Sequence, residues 1–339
     1  MQISLPQKIQ QLSPASAHLC LNIEKFITNK LAVSLTNTTL IVAISGGVDS
    51  TALLLTLKYL SEKLQFSIVA AHFNHKLRAE SDAEQKHVLQ LCQALSIPVR
   101  TASNDVAGYA KAHKMGIEEA ARALRYSFLN DIKKDTNADW IATGHHANDL
   151  AEDVIMRLTR GTGWPALAGM EGRCDTRRLL RPLLHIPKKT LTKFVMSLHL
   201  DWCEDASNLD ENFLRNRVRL HIIPMLCKEN PAFLDAITAL WDMGQIDKDH
   251  WLQTTTKALE NTDIEAPVLH KKDLASMTQA TRLQVYKAVL AGMGKGQPLY
   301  DNLLALDNAW LRNTGGKTIQ FPGSKIATIS KGSIYFSYR

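Results

Sequence analysis

The chain has 339 residues, 45% hydrophobic and 22% charged, a balance that supports folded domains and excludes a disordered polyelectrolyte. Forty basic against 33 acidic side chains leave +7, which allows a polyanionic partner without demanding one. No apolar run approaches the roughly 18 residues of a membrane span, and the first twenty residues lack the basic start and apolar stretch of a signal peptide. The five cysteines, Cys20, Cys92, Cys174, Cys203 and Cys227, form no CxxC pair, which argues against structural zinc or a disulfide framework. A soluble, cytoplasmic protein with no membrane partner is expected.

Residues 1–38 read as a polar leader carrying one amphipathic helix, with Leu19, Ile23 and Phe26 on its apolar face. From Thr39 the pattern alternates. Short apolar runs at Thr39–Ile44, Ser67–Phe73, Ile97–Thr101 and Asp139–Thr143 are separated by helical spacing over Asp49–Leu64, Glu80–Leu95, Gly116–Asp135 and about Asn148 to Arg160. Strands spaced by helices of ten or more residues predict βαβ units around a parallel sheet, whose ligands bind beyond the strands' carboxyl ends. Residues 161–185 are glycine- and proline-rich, Ile186–Leu198 is helical, and a basic helix over Asn212–Cys227 joins the domains. The remainder has helical spacing at 231–260 and 279–293, then strands at Lys317–Phe321, Ser324–Ile329 and Ser333–Tyr338. The expected architecture is α/β: a Rossmann-like parallel sheet followed by a smaller α+β C-terminal domain, divided 1–38, 39–224 and 225–339.

Charge is concentrated. Residues 157–193 hold nine Lys or Arg against Glu171 and Asp175, so this segment alone carries as much net charge as the whole chain. Arg215, Arg217 and Arg219 form a second basic cluster, whereas residues 228–339 are nearly balanced. Such segments serve phosphate contacts, though a solvated surface explains them equally well.

Four motifs fall at the predicted strand ends. Ser45-Gly46-Gly47-Val48-Asp49-Ser50 joins the first strand to its helix. Its glycines allow backbone amides to approach phosphate oxygens, and the helix N-terminus favours an anion. No lysine closes it, so it is not a Walker A loop, and Gly315-Gly316-Lys317-Thr318 elsewhere lacks the leading glycine. His72-Phe73-Asn74-His75-Lys76-Leu77-Arg78 follows the second strand, with Lys76 and Arg78 suited to phosphate. Along the third motif, Gly116–Tyr126, helical spacing brings Glu118, Arg122, Arg125 and Tyr126 onto neighbouring turns of one face. In the fourth, Thr143–Asp153, Asp149, Glu152 and Asp153 stand at i, i+3 and i+4, a repulsive set that a hard cation such as Mg²⁺ or an arginine would relieve.

The first motif resembles, residue for residue, the signature of the PP-loop ATP pyrophosphatase superfamily. All four in this order resemble the tRNA(Ile)-lysidine synthase family, as do Arg160-Gly161-Thr162-Gly163, Leu167–Met170, Arg181–Leu184, Trp202-Cys203-Glu204-Asp205, Ser207-Asn208, Arg215–Arg219 and Ile222-Ile223-Pro224. The resemblance covers roughly residues 39–227. The closing strands look like the family's first C-terminal domain; no second is recognised, so a short form is expected. Asn74, Lys76, Asn148 and Asp153 depart from the family pattern, which makes Asn148 and Asp153 poor candidates for catalysis.

What the resemblance implies is ligation of L-lysine to carbon 2 of the wobble cytidine of tRNA(Ile) with a CAU anticodon, through an adenylated intermediate, with ATP and Mg²⁺. Ser45, Gly46, Gly47, Val48, Asp49 and Ser50 would bind ATP. Asp49 and Asp149 would lie near Mg²⁺, Arg122 would neutralise transition-state charge, and Glu152 would orient lysine or act as a base. His75, Arg78, Arg160, Arg181, Arg215, Arg217 and Arg219 would bind the tRNA, and a homodimer is left open. The competing readings are a cytidine thiolase, which would want paired cysteines, and a catalytically silent tRNA-binding module.

Overall fold

The computed structural model describes residues 5–76, 81–203, 210–263 and 265–339; Leu77, Arg78 and Glu80, and the Glu204-Asp205 and Ser207-Asn208 matches, lie outside them. The chain divides into two compact units, Met1–Asp242 and Met243–Arg339.

In the first unit, helix α1 (Pro14–Lys25) starts where the Ser13 hydroxyl accepts from the Ser16 amide, with proline at its first position. A π-helical turn, Phe26–Lys30, extends it. The alternating region follows as β1 (Thr39–Ala43), α2 (Val48–Leu64), β2 (Ser67–Asn74), α3 (Ser81–Ala94) and β3 (Val99–Ser103). It continues with α4 (Val106–His113), α5 (Ile117–Asp135), β4 (Trp140–Ala142), α6 (Ala147–Thr159), β5 (Arg173–Cys174), β6 (Leu179–Leu180) and α7 (Lys188–Ser197). A basic helical run then passes from α8 (Leu214–Arg217) through a π-helical turn at Val218–Ile222 into α9 (Ile223–Glu229), before the long α10 (Phe233–Ala258).

The sheet order is β3-β2-β1-β4-β6-β5, with parallel pairing from β3 through to β6. The expected parallel sheet is therefore present, with one exception at its edge: β5 runs antiparallel to β6 as a hairpin, two residues pairing with two. These strands are too short for periodicity to reveal. The central β1 is covered on both faces. Leu40 and Val42 enter one core with α2, while Ile41 enters another with Leu129 and Ile132 of α5. That alternation is the period-2 signature of a strand buried on both sides.

Leu5 through Leu35 and, on α10, Ile237 and Trp241 belong to the same core as α2. Hence residues 1–38 do not stand apart as a leader, and the first unit extends beyond the expected boundary at 225. Flanking helices bury their apolar stripes here because the central helices present more apolar surface than the sheet covers. No helix among the described residues is long and apolar enough to cross a membrane.

The chain turns from β1 to β2 on one side and places β4 on the other, so a topological switch lies between β1 and β4. The loops after these two strands, 44–47 and 143–146, flank it. This juxtaposition positions the site.

The second unit holds an antiparallel sheet of order β7-β10-β9-β8, formed by Val268–Leu269, Ser333–Tyr338, Lys325–Ser330 and Thr318–Phe321 respectively. Helices α11 (Lys271–Ser276), α12 (Gln279–Gly292) and α13 (Tyr300–Leu311) accompany it. Its core encloses a charged pair: Arg282 Nε donates to Asp307 Oδ1 at 2.6 Å and Nη2 to Oδ2 at 3.1 Å, while the Tyr286 hydroxyl donates to Oδ1 at 3.2 Å. Removing one partner strands the other charge. Asp307→Ala is expected to lower the stability of this unit by about 3 kcal/mol, read as lost amide-exchange protection in α12 and α13 with α2 protection unchanged.

Candidate active site

The Ser45–Ser50 loop leaves β1 and opens α2 in the manner expected. Gly46 has φ +91°, a conformation only glycine adopts freely, and a Cβ there would lie 3.3 Å from Val88 Cγ2 and 3.5 Å from Cys203 Sγ. The Ser45 amide donates to Ser50 Oγ at 3.1 Å, and Ser50 Oγ donates to the Gly47 carbonyl at 2.9 Å, which pins the loop to the helix. Gly47 caps α2 without a side-chain hydrogen bond. The first amides of a 17-residue helix therefore face the loop, as an anion site requires.

Across the switch, Gly144 lies against the start of α2: a Cβ there would fall 3.1 Å from the Asp49 carbonyl carbon and oxygen and 3.2 Å from the Ser50 nitrogen. A methyl group there would be tighter than ordinary contact, and the backbone would have to give by a few tenths of an ångström. This approach brings His146 beside Asp49, with Nε2 3.3 Å from Asp49 Oδ2. His146 also caps α6: its Nδ1 accepts from the Asp149 amide at 3.4 Å, and Asp149 Oδ2 accepts from the His146 amide at 3.0 Å.

From Asp149 the network continues into the basic helix. Arg215 donates from Nη2 to Asp149 Oδ1 at 2.9 Å and from Nε to Glu152 Oε2 at 2.6 Å. Arg219 donates to Glu152 Oε1 at 2.6 Å and Oε2 at 3.0 Å, and reaches Asp149 Oδ1 at 3.5 Å. Asp153, the third acid, pairs with Arg157 at 2.8 Å, and Asn148 accepts from the Lys188 amide at 2.9 Å.

The electrostatics follow. Burial opposes ionisation of Asp149, but His146, His145 and Arg215 outweigh it and hold its pKa down at about 2. Burial likewise opposes the imidazolium of His146, and Asp149 with Asp49 reverses the balance, so its pKa is raised. His145 is pushed down to about 3, first by burial and then by Arg181, Arg215 and Arg125, with Asp149 opposing. It is a neutral imidazole bonded to the Thr143 hydroxyl at 2.9 Å.

The structure places the expected site residues as follows. Asp149 has Oδ1 against guanidinium and Oδ2 against the His146 amide, so arginines stand among the carboxylates, one of the two reliefs that their spacing asked for. Among the described residues no cluster of three or more His, Cys, Asp or Glu side chains gathers as a metal site. Asp49 differs: its Oδ1 is buried without a partner, a hard oxygen that fits Mg²⁺, while Oδ2 has His146 and, at 3.6 Å, Lys188 Nζ. Arg122 is exposed and lies over the Tyr126 ring at 5.0 Å, beside a surface cavity; the guanidiniums on Asp149 and Glu152 are those of Arg215 and Arg219. Glu118, which spacing places on the same helix face, is also exposed.

The residues assigned to tRNA divide. Arg160 and Arg217 are exposed, although Arg217 also donates to the Glu211 and Asn212 carbonyls. Arg181 is buried and donates to the Glu171 carbonyl, whereas Arg215 and Arg219 pair with Asp149 and Glu152 on one side and stay partly exposed on the other. His75 packs edge-on against Phe73, with ring centroids 4.9 Å apart. His72 is buried, donates to the Ile44 carbonyl at 3.0 Å and has its pKa lowered by that burial.

Sequence reasoning missed His146, Lys188 and Cys203, whose amide donates to the Gly46 carbonyl at 3.0 Å. For His146 a signal existed, since a polar residue three before Asp149 at a helix start reads as a reciprocal cap. The other two approach through tertiary packing alone.

Comparisons with known proteins agree with this geometry. A family described as a PP-loop domain matches residues 16–226. A tRNA(Ile)-lysidine synthase from Nitratidesulfovibrio vulgaris is 44% identical over 317 residues, 88% of this chain and 91% of its own length. Proteins of the same name from Thermosipho africanus and Clostridium acetobutylicum are 40% and 32% identical, over 67% and 88% of this chain. The matched region spans 54% and 66% of those two relatives. Among solved structures, the U34-tRNA thiolase NcsA from Methanococcus maripaludis, with its 4Fe-4S cluster, superposes with a TM-score of 0.57 at 17% identity, over 68% of this chain and 78% of its own, a likeness of fold.

The two shifted groups set opposite pH limits. Asp149, depressed from 3.8 to about 2, contributes stability that is present above its ordinary value and lost as pH falls through the lower one. His146, raised above 6.5, contributes stability that is complete below that value and lost as pH rises through the elevated one. In urea unfolding across pH, Asp149→Asn is expected to flatten the acid arm and His146→Gln the alkaline arm.

Proposed function

The chain belongs to the tRNA(Ile)-lysidine synthase family, and from that premise we propose that it ligates L-lysine to carbon 2 of the wobble cytidine in tRNA(Ile) bearing a CAU anticodon. The O2 oxygen of cytidine attacks the α-phosphorus of ATP and diphosphate leaves. The ε-amine of lysine then attacks carbon 2, the C–O bond breaks, AMP departs, and the nitrogen gives up a proton. The first step is needed because a ring carbonyl is a poor electrophile until its oxygen becomes a leaving group. An anticodon loop is already single-stranded, so no duplex has to be opened to present the base.

The Ser45–Ser50 loop and the first amides of α2 bind the phosphates, with Gly46 and Gly47 admitting them to backbone contact. Asp49, through its unpartnered Oδ1, would hold Mg²⁺, which supplies charge neutralisation on the triphosphate. His146 keeps Asp49 oriented by its contact with Oδ2. Arg215 and Arg219, rather than Arg122, carry positive charge beside the acids of the crevice. Glu152, with both oxygens held by guanidinium, positions those arginines and is not a free base. Exposed Arg160, Lys189 and Lys193 offer contacts to the RNA backbone, which makes binding salt-dependent.

The observation that supports this reading most is the meeting of the phosphate cradle and the Asp49–His146–Asp149–Arg215 network at one switch point. The test is lysine-dependent AMP release with unmodified tRNA(Ile), with mass analysis of the nucleoside to separate lysine addition from thiolation. Asp49→Asn is expected to lower the rate by about 100-fold or more and Arg215→Gln by about tenfold or more; AMP release indifferent to lysine in the unaltered protein defeats the reading.

A further inference from the structure

A second feature of the first unit has no role in that chemistry. Helix α5 runs back against the parallel strands, so its first half lies toward their carboxyl ends. There Glu119, Arg122, Ala123, Tyr126 and Asn130 line a cavity of about 320 Å³ whose far wall is Arg177, from the turn between β5 and β6. The Tyr126 ring carries two guanidiniums, Arg122 at 5.0 Å and Arg125 at 5.9 Å from its centroid. Arg122 and Arg177 are exposed at the rim, and Glu119 is the one carboxylate among the lining residues.

The chemistry of such a cavity is definite. A guanidinium lying on an aromatic ring offers its outer plane to a flat, unpaired base, and a second guanidinium at the rim attracts the phosphate that accompanies it. Its volume is at the small end of ligand sites, which run from about 300 to 1,000 Å³, so it takes one nucleotide and not a whole nucleoside triphosphate. The triphosphate already has the Ser45–Ser50 cradle. We propose that the Tyr126–Arg122–Arg177 cavity binds one unpaired nucleotide of the RNA substrate other than the reacting cytidine, its base on the Arg122–Tyr126 stack and its phosphate at Arg177. This deepens the ligase reading and rests on it for the identity of the RNA.

The test is the dissociation constant of unmodified tRNA(Ile), measured at two salt concentrations alongside that of ATP. Tyr126→Leu keeps bulk but removes the ring, and is expected to weaken tRNA binding about tenfold at fixed salt with ATP affinity unchanged. Tyr126→Phe, which retains the face, is expected to restore most of that loss. Arg177→Gln lies on an exposed turn and tests the same site even where the leucine variant is unstable; it is expected to weaken tRNA binding and make the salt slope shallower by about one phosphate contact. Unchanged tRNA affinity in both Tyr126→Leu and Arg177→Gln overturns the proposal, and so does a loss of ATP affinity in place of tRNA affinity. An unaltered protein that makes lysidine while its tRNA affinity ignores both substitutions refutes the cavity alone. One that binds tRNA in the expected manner and makes no lysidine refutes the ligase reading alone.

Discussion

Two buried carboxylates on one turn of a helix repel each other, and the way this molecule meets that cost organises its first unit. Asp149 and Glu152 on α6 receive Arg215 and Arg219 from the helical run of α8 and the π-helical turn after it, at contacts of 2.6 to 3.5 Å. The carboxylates are buried while both guanidiniums keep an exposed side, and removing an arginine leaves a buried acid uncompensated. The pairing therefore ties a helix after the α/β core to the loop at the switch point. Through Asp149 and His146 the same network reaches Asp49, on the far side of the crevice.

This arrangement changes what each group is able to do. Glu152 has both oxygens engaged by two guanidiniums, which fixes where those arginines stand. Asp149 is ionised because cations surround it despite its burial. Asp49 keeps one oxygen buried and without a hydrogen-bond partner, and that asymmetry separates it from Asp149 and Glu152. Close approach of the two loops depends on Gly144, where even a methyl group would meet backbone atoms of Asp49 and Ser50. The bare α-carbon there and the arginine pairs on α6 together set the width of the crevice.

Positive charge is likewise divided by burial. Within the basic segment 157–193, Arg157 and Arg181 turn inward to carbonyl oxygens at Ala166 and Glu171, whereas Arg160, Arg177, Lys189 and Lys193 stay exposed. The exposed group, to which Arg178 and Lys188 also belong, is the one placed to meet a polyanion. The inward arginines hold the hairpin and the loops that frame the site, so charge totals overstate the surface available to RNA.

Local sequence determined a good deal. The β-branched runs at 39–43 and 67–73 and the helical spacing of Leu53, Leu57 and Leu60 specified strands and helices, because apolar periodicity is a property of neighbouring residues. Ser45–Ser50 announced a phosphate loop by its glycines and its place between strand and helix, and the acids at i and i+3 announced a helix face in need of cations. Tertiary structure alone decided which cations arrive. Arg215 and Arg219 stand more than sixty residues from Asp149 and Glu152, and Arg122, which spacing favoured, turns out to face Tyr126. The two-residue hairpin at the sheet edge and Cys203 against Gly46 were equally hidden. Pairings across that distance are chosen by how helices pack and what they bury, and side-chain period carries no record of it.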